Sequence, residues 1–261
     1  MAMVINTNMA SLNAQRHLSG SQSKLAKSME RLATGKRINS GQDDAAGLGI
    51  SSRLGGKIRA LNQSVRNAND GVSMAKAGDG ALAEVANMLE RMRELVNQRG
   101  DGALSGTDKA AINSEMSSLQ VEINKVVSTT EFNGVKLLNG DLNAEFIVGE
   151  TDTYNLTMSA VDAVAGATAS AMTADTVETA IDNVSTARGE FGKAITVLES
   201  RAANSAALSE NLSAARSQIL DADIAAETAE MTKANVLQQA GVSILAQANQ
   251  SPQVVLSLLQ G

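Results

Sequence analysis

Both ends of the chain carry apolar residues at heptad spacing, and a stripe of that kind along a helix can be buried only against another helix. Near the N-terminus Leu18, Leu25 and Leu32 recur at one phase, with Met29 in the neighbouring seam position. Near the C-terminus Leu237, Ile244 and Leu258 share one phase and Gly241, Ala248 and Val255 supply a second, with Ser251 the polar break. Leu245 and Leu256 fall in the same stretch and are expected to pack with it. The stripes match in length, so the two ends are expected to be partners rather than tails. That pattern reads as a structural subunit.

The side chains available for packing are small. The chain has 261 residues but no Trp, one Tyr and three Phe, so its core must be built from Ala, Leu, Val, Ile and Met. Small residues let helices approach closely over long distances, which favours extended bundles over a ball with aromatic anchors. Cysteine is absent, which excludes disulfides, thiolate metal sites and thiol nucleophiles. A net charge of −6 with basic and acidic residues interspersed argues against nucleic-acid binding. Met1 to Ala10 lacks a basic n-region followed by an apolar core, so no cleavable secretory signal is expected. No stretch approaches the roughly 18 apolar residues that cross a bilayer, and no membrane insertion is expected.

The spacing predicts a helix from about Thr7 to Thr34, stopped at Gly35, and an irregular connector to Gly47. From Leu54 through Ile58, Leu61, Val65, Ala68, Val72 and Ala75 the apolar seam alternates at four and three, and it resumes as Leu82, Val85, Leu89, Met92 and Val96. A single helix over 45–99 would be roughly 80 Å long at about 1.5 Å per residue. Alternatively Gly78 and Gly80 break it, since each costs about 1 kcal/mol relative to Ala in a helix interior. Ile112, Met116, Leu119, Ile123 and Val126 define a third helix. Asn133-Gly134, Asn139-Gly140 and the apolar runs 145–148 and 154–158 suggest β-hairpins within about 131–158. An Ala/Thr/Ser-rich stretch, 159–176, reads as a boundary before helical periodicity returns at Ile181. The fold class expected is mainly α, with long helices and a small β region.

Particular residues then point to a family. Ile5-Asn6-Thr7-Asn8, Ser28-Met29-Glu30-Arg31-Leu32-Ala33-Thr34-Gly35 and Arg37-Ile38-Asn39-Ser40 leading into Asp43-Asp44-Ala45-Ala46-Gly47 carry the resemblance at the N-terminal side. Ala215-Arg216-Ser217, Ile219, Asp221-Ala222-Asp223, Leu237-Gln238-Gln239-Ala240-Gly241 and Leu245-Ala246-Gln247-Ala248-Asn249-Gln250 carry it at the C-terminal side. With these blocks in this order the chain resembles bacterial flagellin over nearly all its length except roughly Ser159 to Ile181. The resemblance implies a self-assembling subunit of the extracellular flagellar filament, exported without signal cleavage, in a minimal form with only the two filament-core domains. It implies an inner coiled-coil domain over 1–42 and 220–261 and an outer rod domain over 43–219. Its implied partners are further copies of the chain, the flagellar export apparatus, a flagellin chaperone, the filament cap and the hook-junction proteins.

Leu89-Glu90-Arg91-Met92-Arg93-Glu94-Leu95 is similar to the flagellin stretch recognised by the vertebrate innate receptor for flagellin, and Glu115 matches another contact of that surface. Leu89, Arg91, Glu94, Leu95 and Glu115 are therefore the candidate recognition residues. Arg91 and Leu95 lie four apart with Glu94 beside them, so one exposed patch is expected. From spacing alone, a charged helix face beside an apolar seam is the better reading; resemblance reverses that for Arg91.

No catalytic constellation survives inspection. Lone His17 has neither a second His nor a Cys to work with and reads as a polar helix-face residue. Asp43 and Asp44 are adjacent and point in different directions on a helix, which suits capping better than paired acid–base chemistry. Gly47, Gly49, Gly55 and Gly56 follow no strand and precede no Gly-Lys-Ser/Thr, so helix packing is preferred to a phosphate loop. No enzyme activity, cofactor or metal is expected. A hook–filament junction protein shares paired terminal helices but usually departs from the C-terminal Gln-Gln-Ala-Gly and Ala-Gln-Ala-Asn-Gln blocks, and a cytoplasmic signalling coiled coil does not explain the central β region.

Overall fold

The structure, a computed structural model, describes the backbone of residues 8–161, 163 and 168–259, and the side chains of these residues as far as 250. Among the described residues the fold is mainly α: helices α1 (Met9–Thr34), α2 (Ala45–Arg99), α3 (Gly106–Thr129), α4 (Ala174–Leu220) and α5 (Ile224–Leu259). Between α3 and α4 lie two antiparallel hairpins, β1 (Glu131–Phe132) with β2 (Val135–Lys136), and β3 (Asn143–Ile147) with β4 (Thr153–Thr157). Internal contacts divide the chain into two units, Met1–Gly56 with Leu212–Gly261, and Lys57–Asn211.

In the first unit, α1 begins where the Asn8 side chain accepts a hydrogen bond from the Ser11 N–H at 3.0 Å and ends at Gly35, whose φ of 67° makes a left-handed cap. α1 lies antiparallel to α5. The Asn8 amide donates to the Ala248 carbonyl at 2.8 Å, Ser11 Oγ to Asn249 Oδ1 at 2.9 Å, and Arg31 Nη1 to Glu227 Oε1 at 2.7 Å. The seam on α1 follows Ser11, Ala14, Leu18, Leu25, Ser28 and Leu32; its buried members are Ser11, Ala14 and Ser28. Small and polar residues thus fill the most enclosed positions, and Gly241 faces the Leu18 side chain across the seam.

The connector after α1 is a fixed structure. Arg37 N–H donates to the Leu220 carbonyl at 2.7 Å and Ala222 N–H to the Gly35 carbonyl at 3.0 Å, forming an antiparallel bridge of Lys36 with Asp221. Ile38, two residues beyond Lys36, is buried. Asp43 accepts hydrogen bonds from the Ser40 and Asn39 N–H groups and an ion pair from Lys27 at 2.7 Å. The Lys27 ammonium, followed by the Ser40 N–H, holds the Asp43 carboxyl well below the usual carboxylate range. Asp44 caps α2 by accepting from the Gly47 N–H at 2.8 Å.

In the second unit the α2 residues Leu82, Val85, Leu89, Met92 and Leu95 pack with Ile112, Met116 and Ile123 of α3 and Val184 and Phe191 of α4. α2 runs unbroken for 55 residues. Gly78 does not interrupt it; a Cβ there would overlap the Phe191 ring, so the glycine is a socket for the largest buried side chain. Gly71 does the same for Leu198, whose Cδ1 would stand 2.9 Å from an added Cβ. Asn133 (φ 51°) and Gly134 (φ 81°) form the tight turn of the β1–β2 hairpin, whereas Asn139-Gly140 turns the chain between the two hairpins. The turn after β3 is gripped through three consecutive carbonyls. Asn67 Nδ2 donates to Ile147 O at 2.9 Å, Ser205 Oγ to Val148 O at 3.1 Å and Ser64 Oγ to Gly149 O at 2.9 Å. Arg99, at the end of α2, donates to Asn113 Oδ1 at 2.9 Å, to Ala169 O at 2.7 Å and to Met172 O, tying α3 and the lead-in to α4 to one guanidinium.

Candidate assembly surface

Pairing α1 with α5 leaves apolar side chains uncovered. Among the described residues fourteen large apolar side chains are exposed, and eight of them (Met9, Leu12, Met29, Ile224, Val236, Leu237, Val242 and Ile244) stand on these two helices. More than half of these exposed side chains thus stand on two of the five helices, which makes this pair the candidate interaction surface. Leu18, Leu25, Leu32 and Leu245 are half-buried in the seam. Of the two C-terminal heptad phases, Gly241 and Ala248 belong to the seam with α1, whereas Leu237 and Ile244 remain 48% and 57% exposed. Together with Ala14, Leu18, Ala234 and Gly241 those two line an open groove between α1 and α5. A second apolar strip, Ala225, Ala229 and Val236 with Thr228 and Thr232, lies on α5. The side chains of Val255, Leu256 and Leu258 lie outside the described residues.

The second candidate site is a charged face on α2 and α3. Arg91 Nη1 donates to Glu94 Oε2 at 2.8 Å, and its Nε and Nη2 donate to Glu115 Oε1 at 3.1 and 3.0 Å. Glu94 first, then Glu115, raise the Arg91 pKa further. All three side chains are about half exposed or more. Leu89 and Leu95 are not part of this face: they are 0% and 1% exposed. The expectation that Arg91 and Leu95 share an exposed patch is corrected here. Leu95 follows Met92 by three residues and so falls on the core stripe.

Neither site resembles a catalytic centre. His17 is exposed on α1 and lines the groove. Among the described residues no group of three or more His, Cys, Asp or Glu is placed to hold a metal ion, and no helix is long and apolar enough to cross a membrane.

Comparison with known proteins gives this geometry its context. Residues 5–142 match the family pattern of the bacterial flagellin N-terminal helical region, and residues 174–259 that of the C-terminal helical region. The chain belongs to the bacterial flagellin family. The flagellin of Halalkalibacterium halodurans is 39% identical over 272 residues, covering 99% of this chain and 100% of that protein. The flagellin of Bacillus subtilis is 38% identical over 304 residues with the same coverage. Among solved structures, Bacillus cereus flagellin aligns with a TM-score of 0.43 and 25% identity over 56% of this chain and 88% of that one. Full-length identity with flagellins identifies a structural subunit of the flagellar filament, and no observation favours the junction-protein or signalling readings. The two matched regions leave 143–173 between them, a span that holds the β3–β4 hairpin and most of the Ala/Thr/Ser-rich boundary.

Proposed function

We propose that this flagellin joins the filament through its terminal helix pair, with Leu237 and Ile244 meeting neighbouring subunits while Leu18, Leu25, Leu32 and Leu245 hold α1 to α5. The observation that supports this reading most is the concentration of exposed apolar side chains on α1 and α5. A subunit that buries such a surface on assembly gains the hydrophobic free energy that the isolated chain forgoes. Leu258 extends the phase of Leu237 and Ile244 in sequence, Val255 that of Gly241 and Ala248, and Leu256 lies between them.

In this reading 1–42 with 220–261 forms an inner coiled-coil domain and 43–219 an outer rod domain carrying the hairpins. The subunit leaves the cell through the flagellar export apparatus without a cleaved signal, escorted by a flagellin chaperone, and meets the cap and hook-junction proteins at the growing end. Its role is structural, without catalysis. Arg91, Glu94 and Glu115 form the face offered to the vertebrate innate flagellin receptor by monomer; Leu89 and Leu95 support that face from beneath.

Electron microscopy of purified protein after monomerisation and reassembly tests the central point. Long uniform filaments are expected. Persistent monomers under conditions that polymerise the Bacillus subtilis relative would overturn it.

A further inference from the structure

Methionine is the only sulfur-containing side chain in the molecule, since the eleven methionines stand beside no cysteine. They are unequally placed. Met92, Met116 and Met172 are 0–1% exposed, Met74 and Met158 are buried, and Met88 and Met231 are half-buried. Met9 and Met29 alone among the described methionines are exposed, at 68% and 50%, and both stand on α1. Met9 is three residues from exposed Leu12. Met29 lies between Leu25 and Leu32 at spacings of four and three, at the edge of the α1–α5 seam.

We propose that Met9 and Met29 are two separate oxidation-sensitive positions on α1 that control whether a subunit can polymerise. The inference rests on α1 and α5 being the assembly surface. A peroxide or hypochlorous acid transfers one oxygen atom to the thioether sulfur: an S–O bond forms, the sulfur gives up two electrons, and the oxidant is reduced to water or chloride. The product is a methionine sulfoxide, polar and stiffer than the thioether. On a surface that must be desolvated when subunits pack, the new S=O needs a hydrogen-bond donor, and the apolar neighbours Leu12, Leu25 and Leu32 offer none. With no thiol in the chain to react first, the oxidant falls on the exposed thioethers. Oxidation therefore acts on the unassembled subunit, and packing into the filament covers the same sulfurs. A thiol-dependent sulfoxide reductase reverses the change.

The test treats full-length monomer with hydrogen peroxide, maps oxidised methionines by peptide mass spectrometry and measures the critical concentration for polymerisation. Met9 and Met29 should oxidise before Met92, Met116 and Met172, and the treated wild type should need at least about tenfold more protein to polymerise. The Met9→Leu/Met29→Leu double variant should polymerise with or without peroxide, and Met9→Gln/Met29→Gln should polymerise poorly without any oxidant. Treated wild type that assembles like untreated protein overturns the proposal. So does equal inhibition of the double leucine variant, or normal assembly of the double glutamine variant. Untreated wild type that never polymerises removes the assembly reading itself, and this inference with it.

Discussion

The ring of Phe191 on α4 sits over Gly78 in the middle of α2, occupying the volume a β-carbon would need. Gly78→Ala is expected to destabilise the second unit, because forcing a methyl into this contact costs about 1–3 kcal/mol against a helix-propensity gain of about 1 kcal/mol. Thermal unfolding followed by circular dichroism should show a lower midpoint. Adding Phe191→Leu should recover part of the loss, since neighbouring substitutions are not additive. A Gly78→Ala midpoint above wild type would show that the ring yields freely.

The α1–α5 seam encloses Ser11, Ala14, Ser28 and Ala234, whereas the second unit encloses Phe191, Leu82, Leu89 and Met92. Helices held by so little apolar burial open at lower free energy than a packed core. Amide exchange in dilute monomer is expected to be faster over 9–34 and 224–250 than over 82–96 and 184–198, and to slow in the filament. Equal protection of both regions in monomer would contradict this.

Leu245 lies half-buried in that seam. Leu245→Asp should block polymerisation while leaving the second unit folded, because an unpaired carboxylate taken out of water costs several kcal/mol or is neutralised. Sedimentation reports the assembly state and circular dichroism the fold. Normal filaments from this variant would remove Leu245 from the packing.

Asp43 gives the first unit a pH dependence of known sign. Its folded pKa lies below the ordinary value of about 3.9 through Lys27 and the Ser40 N–H. The contribution to stability is therefore complete above about pH 5 and is lost as pH falls through about 4 and below. In Asp43→Asn the acid-induced loss of amide protection over 35–44 should be shallower than in wild type. Identical acid profiles would assign the loss to other carboxylates.

Arg91 is exposed and shared between Glu94 and Glu115, so Arg91→Ala should leave the thermal midpoint close to wild type. Monomer binding to the innate flagellin receptor should nevertheless fall by about tenfold or more. Lys136→Ala, which removes the pair with Glu131 and a hydrogen bond to the Thr129 carbonyl, is the control expected to bind normally. Equal affinities for wild type and both variants would reduce Arg91 to an ordinary helix-face charge.

Periodicity carried most of the helices because each apolar stripe is written locally in its own segment, as in Leu82, Val85, Leu89 and Met92. Contacts distant in sequence were not legible in the same way. Nothing near Gly78 announces Phe191, so the glycine reads equally as a break or a socket. At Arg91 the spacing fixes the angle to Leu95 but not where the core boundary falls, and Met92 with Val96 draws that boundary past Leu95. Both C-terminal heptad phases read as candidate seams on paper; only the partner helix decides that the smaller residues, Gly241 and Ala248, are the more enclosed and Leu237 and Ile244 stay about half exposed. The Arg99 clasp on Ala169 O and Met172 O had no signal at all, since backbone carbonyls accept regardless of which residue bears them.

Phe191 and Leu198 stand seven residues apart on α4 and meet Gly78 and Gly71, likewise seven apart, on α2; one further repeat along each helix, Ser205 and Ser64 grip the adjoining carbonyls of Val148 and Gly149. Two helices with matching repeats resemble a pair of rulers, and sliding one by a full repeat would bring Phe191 over Gly71 with its socket intact. The serine hydrogen bonds remove that ambiguity, because the β3–β4 turn stands at one level along the helices and nowhere else. The short hairpin thus acts as a zero mark for the alignment of two much longer elements.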